Sequence, residues 1–217
     1  VQEIRIDNPQ IPDDATSMPP GFPMKMRIYY KPFWGSQYQI IPDAAFVYGP
    51  DAIDFDLRAF LDSTPGWFKT SETYFQDEHR DAAEAIRWLC ENYSLNPKML
   101  LALVEFQTGA LSNPVRQPEL ENSFMGFRNY HRGVYLQLSF ISNLPNDGYY
   151  RFRTGDLLRI DHLDGKLENV DPWQNAATVS LQNYFSQLLD GDDYQFAIGP
   201  DGYAKTFQRL FGDPWRR

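Results

Sequence analysis

A chain of 217 residues with 42% hydrophobic and 16% aromatic side chains can pack one large domain, or one domain and an arm, and excludes disorder over most of its length. Its formal charge of −9 excludes nucleic acid or an anionic membrane surface as partner, because both require a basic face. A single cysteine excludes an internal disulfide and any cysteine-based metal site.

Residues 8–23, "NPQIPDDATSMPPGFP", hold five prolines and few core-forming side chains, and predict an extended arm. Met24 to Tyr30 alternate like a short strand, and "IIPDAAFVYGPDAIDFD" predicts an extended segment lying on a body, with Pro42 and Pro50 opposing helix. From Asp77 the period changes: Ala82, Ala83, Ile86, Leu89, Cys90 and Tyr93 give one apolar helix face, on which Cys90 reads as a small core residue. Asn96 as cap and Pro97 as first residue open the next helix, "NPKMLLALVEFQTG", which Gly109 stops.

"SNPVRQPELENS" reads as a loop, Arg132 to Leu144 as a buried helix, and "LLRIDHLDGKLENV" as a hairpin turning at Asp164–Gly165. Asn175 to Leu189 return to a helical period. "DGYAKTFQRLFG" closes the chain as a helix capped by Asp201 and stopped by Gly212. The expected architecture is mainly α, with an inserted β-hairpin and an extended N-terminal arm: residues 1–76 as Pro-rich arm and strand-like segments packing on the body, residues 77–217 as the helical domain.

Within "LLALVEFQTG" the inner stripe Leu100, Leu103, Val104 ends on a polar residue, Gln107. The order of "NPKMLLALVEFQTG", "RGVYLQL" and "NAATVSLQNYF" resembles the lysozyme-like family in its lytic transglycosylase branch, where "NP-x-LLxALIxxESG" ends in a catalytic glutamate. A "GLMQ"-type segment follows there, and later an "N-x-x-A-x-x-x-L" helix. The resemblance covers about Asp77 to Gly212. It sets Gln107 at the catalytic glutamate's place, Thr108 at the serine's and Gly109 at the glycine's, with Gly133 and Gln137 as an approximate "GLMQ" counterpart. The stretches "IPDAAFVYGPDAIDFD" and "GPDGYAKTFQRLFGDPW" are similar to a variant found in secreted bacterial proteins upstream of a murein endopeptidase module.

The resemblance implies a lysozyme-like fold whose general acid and base is degenerate. Glutamine nearly matches glutamate in shape but cannot deliver a proton to a leaving oxygen near pH 7. Glu105, about 200° round the helix, reads as a solvated glutamate near Lys98. Loop carboxylates Glu119 and Glu121 are the substitutes that could reach a cleft. Thr108, Gly133, Gln137, Tyr135, Tyr149 and Tyr150 are the expected substrate-binding residues, with Tyr130 and Trp173 as further stacking candidates.

The expected function is a secreted or cell-surface domain that binds peptidoglycan or another neutral glycan without cleaving it. Alternatives are an active muramidase or transglycosylase, using a loop glutamate or carrying a changed residue at 107, and a structural cell-surface assembly protein with protein neighbours. No cofactor and no metal are expected. His79, His131 and His162 lack ligand spacing and read as surface or capping residues, and "DGDD" at 190–193 reads as a solvated turn. No apolar run reaches the ~18 residues that a membrane span requires. A chain opening at Val1 without a basic or apolar leader is the expected form of a processed extracellular product or an excised fragment.

Overall fold

The computed structural model describes residues 8–12, 14–17, 19–25, 32–118, 123–126 and 131–216. Most of the strand expected over Met24–Tyr30 lies outside them. Helix accounts for about 48% of the described residues beside two small sheets, so the fold is mixed α/β with helix predominating over strand.

The described chain begins its regular structure with β1 (Phe33–Trp34), followed by two single-turn helices, α1 (Asp43–Phe46) and α2 (Pro50–Ile53). Pro42 and Pro50 were expected to oppose helix here. Instead Pro42 caps α1 and Pro50 is the first residue of α2. At a first turn the missing proline N–H would have no partner anyway, so proline starts helices as readily as it interrupts them.

Helix α3 (Leu57–Ser63) and a 3-10 turn (Trp67–Thr70) lead to the hairpin β2 (Glu72–Phe75) and β3 (Glu78–Asp81). The expected boundary between residues 76 and 77 falls in its turn, where Gln76 and Asp77 both adopt positive φ. Ile40, Ile41, Phe46, Leu57, Leu61, Trp67 and Phe68 share one core with the helices that follow.

Helices α4 (Ala82–Tyr93) and α5 (Pro97–Thr108) lie where their periodicity placed them, α5 opened by the Asn96 side chain accepting from the Lys98 amide at 3.0 Å. Met99 through Glu105 are all buried, so α5 is the axis of the body and has no solvated face. Around it pack α4 and α9 (Tyr203–Phe211). The pair α6 (Val134–Thr154) and α7 (Ala176–Ser186) forms the broadest helix contact.

Helix α6 does not end at Leu144 but runs through Pro145, whose carbonyl accepts the Ser180 hydroxyl of α7 at 2.5 Å. Gly148 lies against the same serine, and a Cβ there would stand 3.3 Å from the Ser180 Cα. Between these helices the hairpin β4 (Arg159–Asp161) and β5 (Leu167–Asn169) turns at Asp164–Gly165 as its sequence predicted. "DGDD" is not only a turn: Gly191 opens α8 (Gly191–Ile198), with Asp192 and Asp193 in its first turn, where the helix dipole favours negative charge.

Candidate functional site

Gln107 at the end of α5 is partly buried, and its Oε1 accepts the Tyr184 hydroxyl at 2.5 Å. Tyr184 is fully buried on α7, and burial pushes its phenol far above the ordinary value even though the glutamine opposes that shift, so it stays a donor. Thr108 turns back on its own helix, donating to the Val104 carbonyl at 2.5 Å and accepting from the Ala110 amide at 3.2 Å.

Glu105 is not the solvated residue expected. Its Oε2 accepts the Leu111 and Ser112 amides at 2.9 and 3.2 Å, and its Oε1 accepts from Arg209 at 2.7 Å. A helix enclosed on all sides offers a carboxylate no water, so the chain folds the loop after Gly109 beneath it and brings a guanidinium from α9.

The remaining sequence candidates do not assemble around Gln107. Gly133 and Tyr135 line a hollow of about 420 Å³ between the start of α6 and the hairpin β2–β3, where Tyr135 stacks on Phe75 at 4.3 Å. Gln137 is buried beneath, accepting the Met125 amide at 3.0 Å and donating to the His131 carbonyl. Tyr149 stacks on Phe46 at 4.8 Å and edge-on against the exposed Tyr150. Fourteen residues of helix separate Tyr135 from Tyr149, about 20 Å of axial rise. Glu119, Glu121 and Tyr130 lie outside the described residues.

A further surface feature lies on the three-stranded sheet β1–β5–β4. Strand β1 joins β5 in parallel, Phe33 opposite Glu168 and Trp34 opposite Asn169, while β4 joins it antiparallel, Ile160 opposite Glu168 and Arg159 opposite Asn169. Because successive side chains alternate faces, Phe33, Ile160 and Glu168 share one face, and Trp34, Arg159 and Asn169 the other.

A strap of glutamines holds β1 in place. Gln37 donates to Asp171 at 3.1 Å, Gln39 to the Trp173 carbonyl at 3.3 Å, and Gln174 to the Ser36 and Tyr38 carbonyls at 2.6 and 3.1 Å.

The inner face carries a buried polar cluster. Glu168, 1% exposed, takes the Tyr194 hydroxyl and His162 Nε2 on one oxygen, each at 2.9 Å. The side chain of His162, expected at the surface, is 6% exposed, with its ring edge-on to Tyr194. Burial and the Glu168 carboxylate hold the Tyr194 phenol far above its ordinary value, so it remains a donor. The other Glu168 oxygen faces Gly35, where a Cβ would stand only 2.3 Å away, so a larger residue in the strap would have to displace the Glu168 carboxylate. Phe33, His162 and Tyr194 border a hollow of about 490 Å³ on this side.

The outer face is an open groove of about 820 Å³, lined by Trp34, Phe152, Leu158, Val170 and Pro172 together with Asp156, Arg159 and Asp171. Trp34 is 68% exposed and Leu158 64%, and the adjoining Trp173 reaches 85%. The β4–β5 hairpin of this sheet was expected, but the pairing of β1 with it was not: β1 lies more than a hundred positions upstream, and a two-residue strand leaves no periodic signal. Trp173, named as a stacking candidate, was the nearest signal to it.

Among the described residues no group of three or more histidine, cysteine, aspartate and glutamate side chains is placed to hold a metal, and no helix is long and apolar enough to cross a membrane. Cys90 is fully buried, and burial pushes its thiol far above the usual range.

Comparison with known proteins corrects the resemblance drawn from the α5 motif. The family described as "LasA, N-terminal domain" matches residues 39–217. Protease LasA from two strains of Pseudomonas aeruginosa is 30% identical over 173 residues, which are 79% of this chain and 37% of each relative. The chain thus spans little more than a third of the relatives' length. No solved structure matches significantly. The lysozyme-like and transglycosylase assignment, and with it the degenerate glycosidase that binds glycan, is overturned. The "NP…QTG" helix is a capped, buried helix whose ends satisfy general rules of capping, which recur in unrelated folds. The chain belongs to the LasA N-terminal domain family.

Proposed function

We propose that this chain is the non-catalytic N-terminal domain of a longer, secreted protease precursor, and that it binds the peptidase region and restrains it until processing separates the two. One observation carries the reading. The matching family is described as an N-terminal domain, while the aligned stretch takes up only 37% of relatives that are named proteases, leaving the greater part of each outside the match. Gln107, at the place the resemblance gave to the catalytic acid, is in addition committed internally to Tyr184, as are Glu105 to Arg209 and a loop and His162 to Glu168. Neither a glycosidase, nor a glycan-binding module, nor a cell-surface scaffold is supported.

The test is a titration of the purified chain into the active peptidase region encoded with it, followed by peptide hydrolysis and size-exclusion chromatography. Saturable inhibition with formation of a one-to-one complex is expected. Peptide hydrolysis by the isolated chain, or a full-length gene without a peptidase region, would overturn the reading.

A further inference from the structure

The outer face of the three-stranded sheet is an apolar surface that the described residues leave bare. Trp34, Leu158 and Pro172 line one groove with Trp173 beside it, and the floor of Phe152 and Val170 beneath is continuous with the core contacts of α6 and the sheet. The opposite face of the same sheet is filled by Tyr194 of α8 and by His162, whereas no described element covers this one. A monomer has no stability reason to hold two tryptophans and a leucine in water around a single hollow, and contiguous apolar patches rimmed by polar groups mark interaction sites.

We propose that this groove is the docking surface for the peptidase region, and that the segment it receives presents an apolar side chain flanked by lysine or arginine. This rests on the reading that the chain is the restraining domain of a protease precursor. The lining has two carboxylates, Asp156, which accepts the Thr154 hydroxyl at 2.6 Å, and the buried Asp171, which accepts Gln37 and the Trp173 amide, against one guanidinium, Arg159, which donates to Asn169 at 3.2 Å. The groove adjoins the carbonyl end of the 21-residue helix α6, whose last-turn Arg151 and Arg153 are already paired with Asp147 and Asp43, and the chain as a whole carries −9. All of these favour an incoming cation. The part of the relatives lying outside the match is large enough to supply such a surface within the same precursor. The glutamine strap fixes Trp34 before the partner arrives, which lowers the ordering cost of binding.

The experiment titrates the active peptidase region with wild-type chain and with Trp34→Ala, Leu158→Ala and Ile53→Ala, each first shown to melt cooperatively. Ile53 is equally exposed but lies on α2, away from the groove. Trp34→Ala is expected to weaken inhibition by about 30-fold and Leu158→Ala by about tenfold, with Ile53→Ala unchanged. Association should slow as salt is raised in all four. If wild type inhibits and Trp34→Ala and Leu158→Ala inhibit equally well, the groove is not the docking surface although the restraining role stands. If wild-type association does not slow as salt is raised, the cationic occupant falls. Should wild type fail to bind, the restraining role itself is wrong.

Discussion

Residues 105 and 107 show why a single side chain is a poor witness to function. Both are polar groups at the end of a buried helix, and both are spent on closing the fold, Gln107 on Tyr184 and Glu105 on the loop amides and Arg209. An unpaired buried hydroxyl loses its water without a replacement, whereas removing both partners is close to neutral. Gln107→Leu is therefore expected to destabilise the chain by about 1–3 kcal/mol, read as a lower midpoint in urea. Adding Tyr184→Phe to that variant should recover part of the loss. If the double variant were less stable than the sum of the two singles, the hydrogen bond would not be the relevant interaction. The sequence signalled that position 107 was unusual, but the family motif supplied the wrong reason. Its true partner lies 77 positions along the chain, beyond any local pattern.

At the scale of elements, what was legible in sequence was local. Helices α4 and α5 announced themselves by period, cap and stop, and the β4–β5 hairpin by Asp164–Gly165. The hairpin β2–β3 did not, because its turn uses Gln76 and Asp77 at positive φ without a glycine and its strands are mostly polar. Pro145 hid the length of α6, since the contacts to α7 that offset a proline inside a helix are tertiary. Those contacts set a test: Gly148→Val places branched carbons against Ser180, and overpacking should cost about 1–3 kcal/mol, with α6 and α7 losing amide-exchange protection together.

A second test concerns the start of α4, where Asp81 accepts the Glu84 amide at 2.9 Å, Glu84 returns the bond, and Arg58 pairs with Asp81 at 2.7 Å. Burial raises the Asp81 carboxyl, but the bonds from Glu84, Arg58 and Ala83 outweigh it and leave the value below the ordinary 3.8. A carboxyl lowered by folding stabilises the native state above its unfolded value, and that contribution disappears as pH falls through the lowered one. Asp81→Asn should accordingly lower the melting temperature at pH 7 and narrow its gap to wild type as the pH is taken below 3.8. A gap that stayed constant with pH would assign the loss to packing instead of charge.

For the whole molecule, the question is how much of the chain the cooperative body needs. The family match begins at residue 39, and the first core side chains of the continuous body are Ile40 and Ile41. Upstream, Asn8 and Lys25 bond each other twice at 2.6 Å, and Gln10 donates to Asn8 and to the Pro23 carbonyl, so these bonds tie the two ends of the arm to each other. Ordering a backbone residue costs about 1–2 kcal/mol, and a five-proline segment with few apolar side chains recovers little of that by burial. Phe33 and Trp34 are different: they pair with β5 and are anchored by the glutamine strap, which ties residues 35–41 to residues 171–178. Deleting residues 1–23 should therefore leave the single melting transition in place, shifted by only a few degrees, while deleting residues 1–38 should remove β1 and the strap together. The longer deletion takes away the neighbours of Glu168 and Asp171, so it is expected to lower the transition well beyond the shorter one and to abolish peptidase binding along with Trp34. Equal melting of the two truncations would show that the small sheet contributes nothing to the body's stability. A shorter truncation that no longer melts cooperatively would show that the arm belongs to the same folding unit as the helices.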